Sequence, residues 1–204
     1  MSQYSRSHTT ESGALHRCFY AVQFPGEITS YLASIIEQLQ VHRADVQWVP
    51  SRNIHLTLRF LGEITSGQLE QAMNPGEDVL AVHPMRLRAS GLGAFPLLRA
   101  PRVFWAGVEG ESQEDMDRLL HLQGRTEHWS RKLGLAPERR RYAPHITLGR
   151  MGHPSDGLRE LTDDIIEREC ISPYCSIDSI VLMRSTLTRA GSTYEVLRRW
   201  GLAK

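Results

Sequence analysis

An α+β fold of two pseudo-symmetric lobes around a central cleft is what this chain predicts, and three observations predict it. "NIHLTLRFLG" (residues 53–62) and "PHITLGR" (residues 144–150) carry the same His-x-Thr pair, at His55/Thr57 and His145/Thr147, 145 − 55 = 90 residues apart. Strand-like and helix-like segments alternate around each copy. Strand pairs joined by short Gly- or Pro-bearing turns are interspersed, so each lobe should be an antiparallel or mixed sheet with outer helices, not a doubly wound parallel sheet.

The elements follow in order. "LHRCFYAVQFP" is a short run of aromatic and small apolar residues closed by Pro25 and Gly26, a buried strand ended by a turn. "EITSYLASIIEQLQ" places Ile28, Leu32, Ile35, Ile36 and Leu39 at helical spacing, so a helix packs on that strand. "VQWVPSRNIHLTLRFLG" contains the first motif strand. "SGQLEQAMNPGEDVLAV" begins as a helix that Asn74, Pro75 and Gly76 should break. "MRLRASGLGAFP" and "RVFWAGVEG" read as two strands. "QEDMDRLLHLQGRTEHWSRKLGL" is helical through Met116, Leu119, Leu120 and Leu133 and should end near Gly134. "YAPHITLGR" is the second motif strand and "DGLRELTDDIIERE" a shorter helix. "CSIDSIVLMRSTLT" and "TYEVLRRW" form a hairpin turned at Ala190, Gly191 and Ser192. Each half thus reads as strand, helix, motif strand, helix and closing strand pair. A polar tail over residues 1–14 and one bilobal domain over 15–204 are expected.

Composition narrows the function. A formal net charge of +1 supplies no global field, so contact with nucleic acid should be local. Only Lys132 and Lys204 are lysines, so 24 − 2 = 22 of the basic residues are arginines, a bias that suits phosphate but that composition alone also explains. Cys18, Cys170 and Cys175 cannot all pair within one chain and lack metal-ligand spacing, which predicts reduced structural thiols in a cytoplasmic protein. The N-terminal fifteen residues lack the apolar core of a signal peptide and no run approaches a membrane span, so no membrane association is expected.

Residues i and i+2 of a strand share a face. His55 and Thr57 therefore share one, as do His145 and Thr147, while Leu56, Leu58, Ile146 and Leu148 pack behind. A single histidine on a half-exposed strand is ordinarily a hydrogen-bonded surface or core residue. Two copies in matching halves would instead meet across a pseudo-twofold axis. Opposed histidines suit displacement at a phosphodiester: a neutral imidazole takes a proton from the nucleophile, and an imidazolium gives one to the leaving oxygen. Threonine hydroxyls can donate to the non-bridging oxygens. His121 and His128 are seven apart, and His42, His83 and His153 have no partner at ligand spacing, so no metal and no cofactor is expected.

These residues resemble a known family. "HLTLRFLG" with "PHITLGR", the preceding "WVP", "GLGAFP" with "PRVFWAGV", and "STLTRAGSTYEVL" are similar to the 2H phosphoesterase superfamily and, within it, the RNA 2',3'-cyclic phosphodiesterases, also called 2'-5' RNA ligases or LigT-like proteins. The resemblance spans about residues 15 to 200. It implies two lobes with the motif strands lining the cleft, and hydrolysis of an RNA terminal 2',3'-cyclic phosphate to a 2'-phosphate. It also implies reversible, ATP-independent 2'-5' joining of RNA ends such as tRNA halves, and a monomer. Carried over residue by residue, His55 is the proton donor and His145 the acceptor, with Thr57 and Thr147 on phosphate.

Arg150 matches the family's arginine, but strict alternation would turn it away, so a bulge or strand end after Gly149 is required. Arg59 has the parity to share the face of His55 and Thr57. Tyr142 and Phe60 are candidates to stack on a base, Phe60 reading more readily as core. The run Glu138 to Arg141 could meet the RNA backbone or simply be a solvated loop. Two rival readings stay open: a superfamily phosphodiesterase for a small cyclic nucleotide or 2'-5' oligoadenylate, and a catalytically idle RNA-end binding module.

Overall fold

The computed structural model describes residues 14–75, 81–153, 155–188 and 191–203. Among these residues nine strands and four α-helices follow one another: β1 (Leu15–Val22), α1 (Gly26–Leu39), β2 (Val46–Trp48), β3 (Leu56–Thr65), α2 (Ser66–Ala72), β4 (Met85–Leu97), β5 (Ala100–Gly110), α3 (Gln113–Lys132), β6 (His145–Met151), α4 (Leu158–Glu167), β7 (Cys175–Ile177), β8 (Ser179–Thr188) and β9 (Gly191–Gly201). The expected N-terminal tail lies outside the described residues, apart from Ala14, as do Gly76 and Ala190 of the expected turns. Among the described residues no helix is long and apolar enough to cross a membrane.

Local chemistry sets the helix ends. Thr65 and Ser112 open α2 and α3 with reciprocal capping boxes to Gln68 and Asp115, each satisfying two backbone N–H groups that a helix start leaves bare. Gly134, at φ 79°, ends α3 in the left-handed conformation that glycine adopts without strain. All five aliphatic residues expected on the inner face of α1 are buried. Leu120 of α3 is not: it is 44% exposed, and Leu122 takes the inward position. α2 stops at Ala72, just before the Asn74–Pro75 interruption.

The strands form one curled sheet in the order β7-β4-β5-β6-β3-β1-β8-β9, antiparallel at every step, with β2 added alongside β6. The lobes are two stretches of this sheet, β9-β8-β1-β3 and β6-β5-β4-β7, and they are not the two halves of the sequence. The hairpin β8–β9, which closes the second half, pairs with β1 beside the first motif strand. The hairpin β4–β5 of the first half pairs with the second motif strand. β5 both closes the first repeat and opens the second, which is why the chain supplies no separate strand between Gly110 and α3.

The two lobes meet at a single pair, Leu56 opposite Ile146. These residues are 146 − 56 = 90 apart, so each is the other's counterpart in the repeat. Antiparallel pairing of a residue with its own counterpart is what a twofold axis between the strands demands. Leu56 and Ile146 are both fully buried, and their flanking residues turn to the other face of the sheet.

Candidate active site

The register at the axis arranges the polar pairs. With Leu56 opposite Ile146, His55 comes opposite Thr147 and Thr57 opposite His145, and the two histidines stand on the diagonal. Diagonal neighbours in a regular ladder lie about 7–8 Å apart, room for a phosphoryl group between two rings.

Each ring is held in the same way. His55 Nδ1 lies 2.6 Å from the carbonyl of Asn53, and His145 Nδ1 lies 2.7 Å from the carbonyl of Ala143, again 90 residues on. A carbonyl only accepts, so Nδ1 carries the hydrogen in both rings and Nε2 is the exchangeable nitrogen. Nε2 of His55 is 3.1 Å from Thr57 Oγ1, whose hydroxyl donates to it when the ring is neutral. Asn53 is itself buried and donates from Nδ2 to Ser192 O at 2.9 Å, fixing the His55 segment to the start of β9.

Aromatic rings wall both histidines. Phe19 stands 4.9 Å from the His55 ring, with Tyr194 edge-on at 5.2 Å. Phe95 meets His145 edge-on at 5.0 Å and continues to Trp105 at 5.3 Å, whose indole occupies the space over Gly93 where a Cβ would clash. Burial depresses both imidazoles below the usual 6.5, the Asn53 and Ala143 carbonyls oppose the shift, and the Arg150 guanidinium depresses both further. His145 adds a small lowering at His55.

Two matching β-bulges decide which further residues reach this face. On β6, Trp105 pairs with Thr147 and Phe104 with Gly149, leaving Leu148 as an extra residue. The bulge keeps Leu148 and Gly149 both on the helix side, where Val46 and Trp48 fill the space a side chain at 149 would need, and returns exposed Arg150 to the histidine face. The required irregularity thus falls before Gly149, not after it.

On β3, Ala21 pairs with Thr57 and Tyr20 with Arg59, leaving Leu58 as the extra residue at the equivalent position. This reverses the parity expected for the next two residues. Arg59 is turned under α3 and is 8% exposed. Its Nη2 donates to Ala136 O at 2.5 Å, and its Nε lies 2.6 Å from Glu127 Oε2, an ion-pair approach without hydrogen-bond alignment. Phe60, expected as core, emerges on the histidine face at 51% exposure, 5.7 Å from Phe19. Since 60 + 90 = 150, Phe60 is the counterpart of Arg150 across the axis.

Tyr142 is used structurally: its hydroxyl donates to the Thr57 carbonyl at 3.0 Å, and burial pushes that phenol well above its ordinary value. Of the seven residues expected from sequence, six lie on or directly against the histidine face and Arg59 lies behind it. The sequence reading missed Phe19, Phe95, Trp105 and Tyr194; "GLGAFP" and "STYEVL" were visible as segments, but nothing local marks which of their residues approach a histidine from another strand. His42 and His121 serve elsewhere, at Asp164 and Arg125. Cys18, Cys170 and Cys175 are unbridged, and burial raises each thiol to about 11.

The LigT like Phosphoesterase family model matches this chain twice, over residues 22–105 and 111–194, an offset of 111 − 22 = 89 residues that retraces the structural repeat. The RNA 2',3'-cyclic phosphodiesterase of Methanothermobacter thermautotrophicus is 34% identical over 87% of this chain and 94% of its own. That of Thermotoga maritima is 31% identical over 89% and 92%. Among solved structures, a Thermus thermophilus protein superposes with a TM-score of 0.71 at 27% identity, over 91% of this chain and 97% of the other. E. coli LigT in its apo form shares the fold at the same TM-score with 21% identity, over 93% and 99%.

Proposed function

The chain belongs to the LigT-like phosphoesterase family, and from that premise we propose that it hydrolyses the 2',3'-cyclic phosphate at the end of an RNA to a 2'-phosphate, using His55 and His145 as its acid and base. The observation that carries the reading is the pair of Nδ1-anchored imidazoles facing one another across the axis, each with a threonine beside it and both within the field of Arg150. The relatives named RNA 2',3'-cyclic phosphodiesterase, at about one-third identity along most of the chain, support the substrate class.

In this reading each group has a task. The cyclic phosphate sits between the rings, its non-bridging oxygens taking hydrogen bonds from Thr57, Thr147 and the Arg150 fork. His145 Nε2 removes a proton from water as the water oxygen bonds to phosphorus. The phosphorus–O3' bond breaks, and protonated His55 gives its Nε2 proton to that oxygen. A 2'-phosphate and a 3'-hydroxyl leave, with the net proton moved from His55 to His145 and equilibrated through solvent. Desolvation of both rings strengthens the charge interactions formed in that step. In the same reading Phe60, exposed on the same face, stacks on the terminal base.

The test is product analysis on an RNA oligonucleotide ending in 2',3'-cyclic phosphate, in the presence of EDTA. A 2'-phosphate product is expected, with activity lost by at least about a hundredfold in His55→Ala and in His145→Ala. A 3'-phosphate product would refute the assignment of the leaving oxygen, and full activity in either variant would refute the two-histidine mechanism.

A further inference from the structure

The segment that leads into the second motif strand holds three exposed arginines that pair with no carboxylate among the described residues. Arg139, Arg140 and Arg141 are exposed and make no ion pair among the described residues, whereas Arg86, Arg88, Arg118, Arg168 and Arg184 all face carboxylates at 2.5–2.8 Å. The one acid in the run, Glu138, is 48% exposed and its carboxylate is held against its own turn. Its Oε1 accepts from the backbone N–H groups of Arg139 and Arg140 at 2.9 and 3.2 Å, and its Oε2 lies 3.8 Å from Arg59 Nη1. Glu138 is thus engaged with its own turn and approaches Arg59, and the run 138–141 keeps a formal charge of 3 − 1 = +2.

This loop is fastened to the first motif strand at both ends. Before the arginines, the Ala136 carbonyl accepts from Arg59, and the Glu138 N–H donates to Glu127 Oε1 at 3.2 Å. After them, Tyr142 donates to the carbonyl of Thr57. The antiparallel pairing of Leu56 with Ile146 sends the residues before His145 back along the residues after Leu56, which are Thr57 to Phe60. Arg141 and Arg139 lie four and six residues before His145, at most about 14 and 21 Å of extended chain from it.

We infer that Arg139, Arg140 and Arg141 form a track for the backbone phosphates of an RNA strand upstream of its cyclic end, so that the site of the proposed reaction favours oligonucleotides over nucleoside cyclic phosphates. The inference rests on the cyclic phosphodiesterase reading of that site. The chemistry fits: guanidinium forks bind phosphate bidentately, and a short local patch is the contact open to a chain with a net charge of only +1. Fastening at Ala136 and Tyr142 shortens the segment that must be ordered when RNA binds, lowering the entropic cost of the contact.

The experiment compares wild-type protein with Arg139→Gln/Arg140→Gln/Arg141→Gln, measuring kcat/KM on adenosine 2',3'-cyclic phosphate and on an RNA hexamer with the same end. The oligonucleotide-to-mononucleotide ratio is expected to fall at least about tenfold in the variant. The dependence of log kcat/KM on log salt for the hexamer should become shallower by about 2, since each phosphate that the arginines neutralise contributes roughly 0.7 to the slope. An unchanged ratio, or equal losses on both substrates, overturns the track. If wild-type protein turns over neither substrate, the cyclic phosphodiesterase reading falls. Fluorescence anisotropy with a labelled hexamer then judges the track separately: weaker binding by the variant supports it and equal binding overturns it.

Discussion

Arg59→Met separates a strut from a phosphate clamp. The guanidinium is 8% exposed, and removing it leaves the Glu127 carboxylate, 21% exposed, and the Ala136 carbonyl without their partner. Breaking one side of a buried pair costs about 3–5 kcal/mol, and the partial exposure of Glu127 places this case near the lower end, about 3 kcal/mol. At about 2–4 °C per kcal/mol for a chain of this size, the melting temperature should drop by about 6–12 °C. Differential scanning calorimetry reads this directly. Arg59→Met/Glu127→Leu should recover part of the loss, because the most buried carboxylate goes with its partner while the Ala136 carbonyl and the Glu138 N–H stay unpaired. Turnover of adenosine 2',3'-cyclic phosphate by the folded fraction should stay within about threefold of wild type. A variant that melts with the wild type but loses a hundredfold in kcat/KM would show Arg59 on the phosphate, and the parity reversal at Leu58 would be wrong.

The depressed histidines set two pH dependences. Their folded-state values lie below the ordinary 6.5, so the unfolded chain takes up protons first as pH falls through 6.5, and stability must decline there. Urea titrations at pH 7.5 and 5.5 should show a smaller decline in His55→Asn/His145→Asn than in wild type; an identical decline removes the effect from these rings. Because kcat/KM reports free-enzyme ionisations, its optimum should lie below pH 6.5, and an optimum above pH 7 would contradict the burial assigned to both rings. Phe60→Ala should raise KM for a nucleoside 2',3'-cyclic phosphate by about 5- to 150-fold, the value of about 1–3 kcal/mol for one stacked base, with no loss of melting temperature. Equal sensitivity of ribose 2',3'-cyclic phosphate, which has no base, would rule out stacking.

The sequence made legible whatever depends on period and duplication. The spacing of Ile28 to Leu39 forecast the buried face of α1, and the repeated His-x-Thr marked both rings and both hydroxyls. Strand alternation failed at two places for one reason: a bulge adds a residue that no side chain announces. Leu58 and Leu148 look like their neighbours, yet each reverses the face of the residues that follow it, putting Arg59 behind the sheet and Phe60 in front until a second irregularity at Leu61 restores the alternation on β3. The exchange of hairpins between lobes was hidden too, because β8 pairs with β1 across more than 150 residues of chain and local signals carry no partner information.

The same repeat that builds a symmetric pair of acid–base groups has to yield an asymmetric reaction, since one ring must hold a proton while the other lacks it. The scaffold leaves the distinction to the residues three past each threonine. After Thr147 the bulge presents Arg150, a cation; after Thr57 it presents Phe60, a bare ring. An anionic cyclic nucleotide entering this face finds phosphate recognition on one side of the axis and a base platform on the other, and can satisfy both in one orientation. That orientation fixes which ring meets the leaving oxygen. A symmetric site would bind the phosphate either way round and assign the two proton transfers at random. Under the proposed assignment, the choice of His55 as donor resides less in the two histidines, whose Nδ1 anchors match, than in the contrast between Phe60 and Arg150.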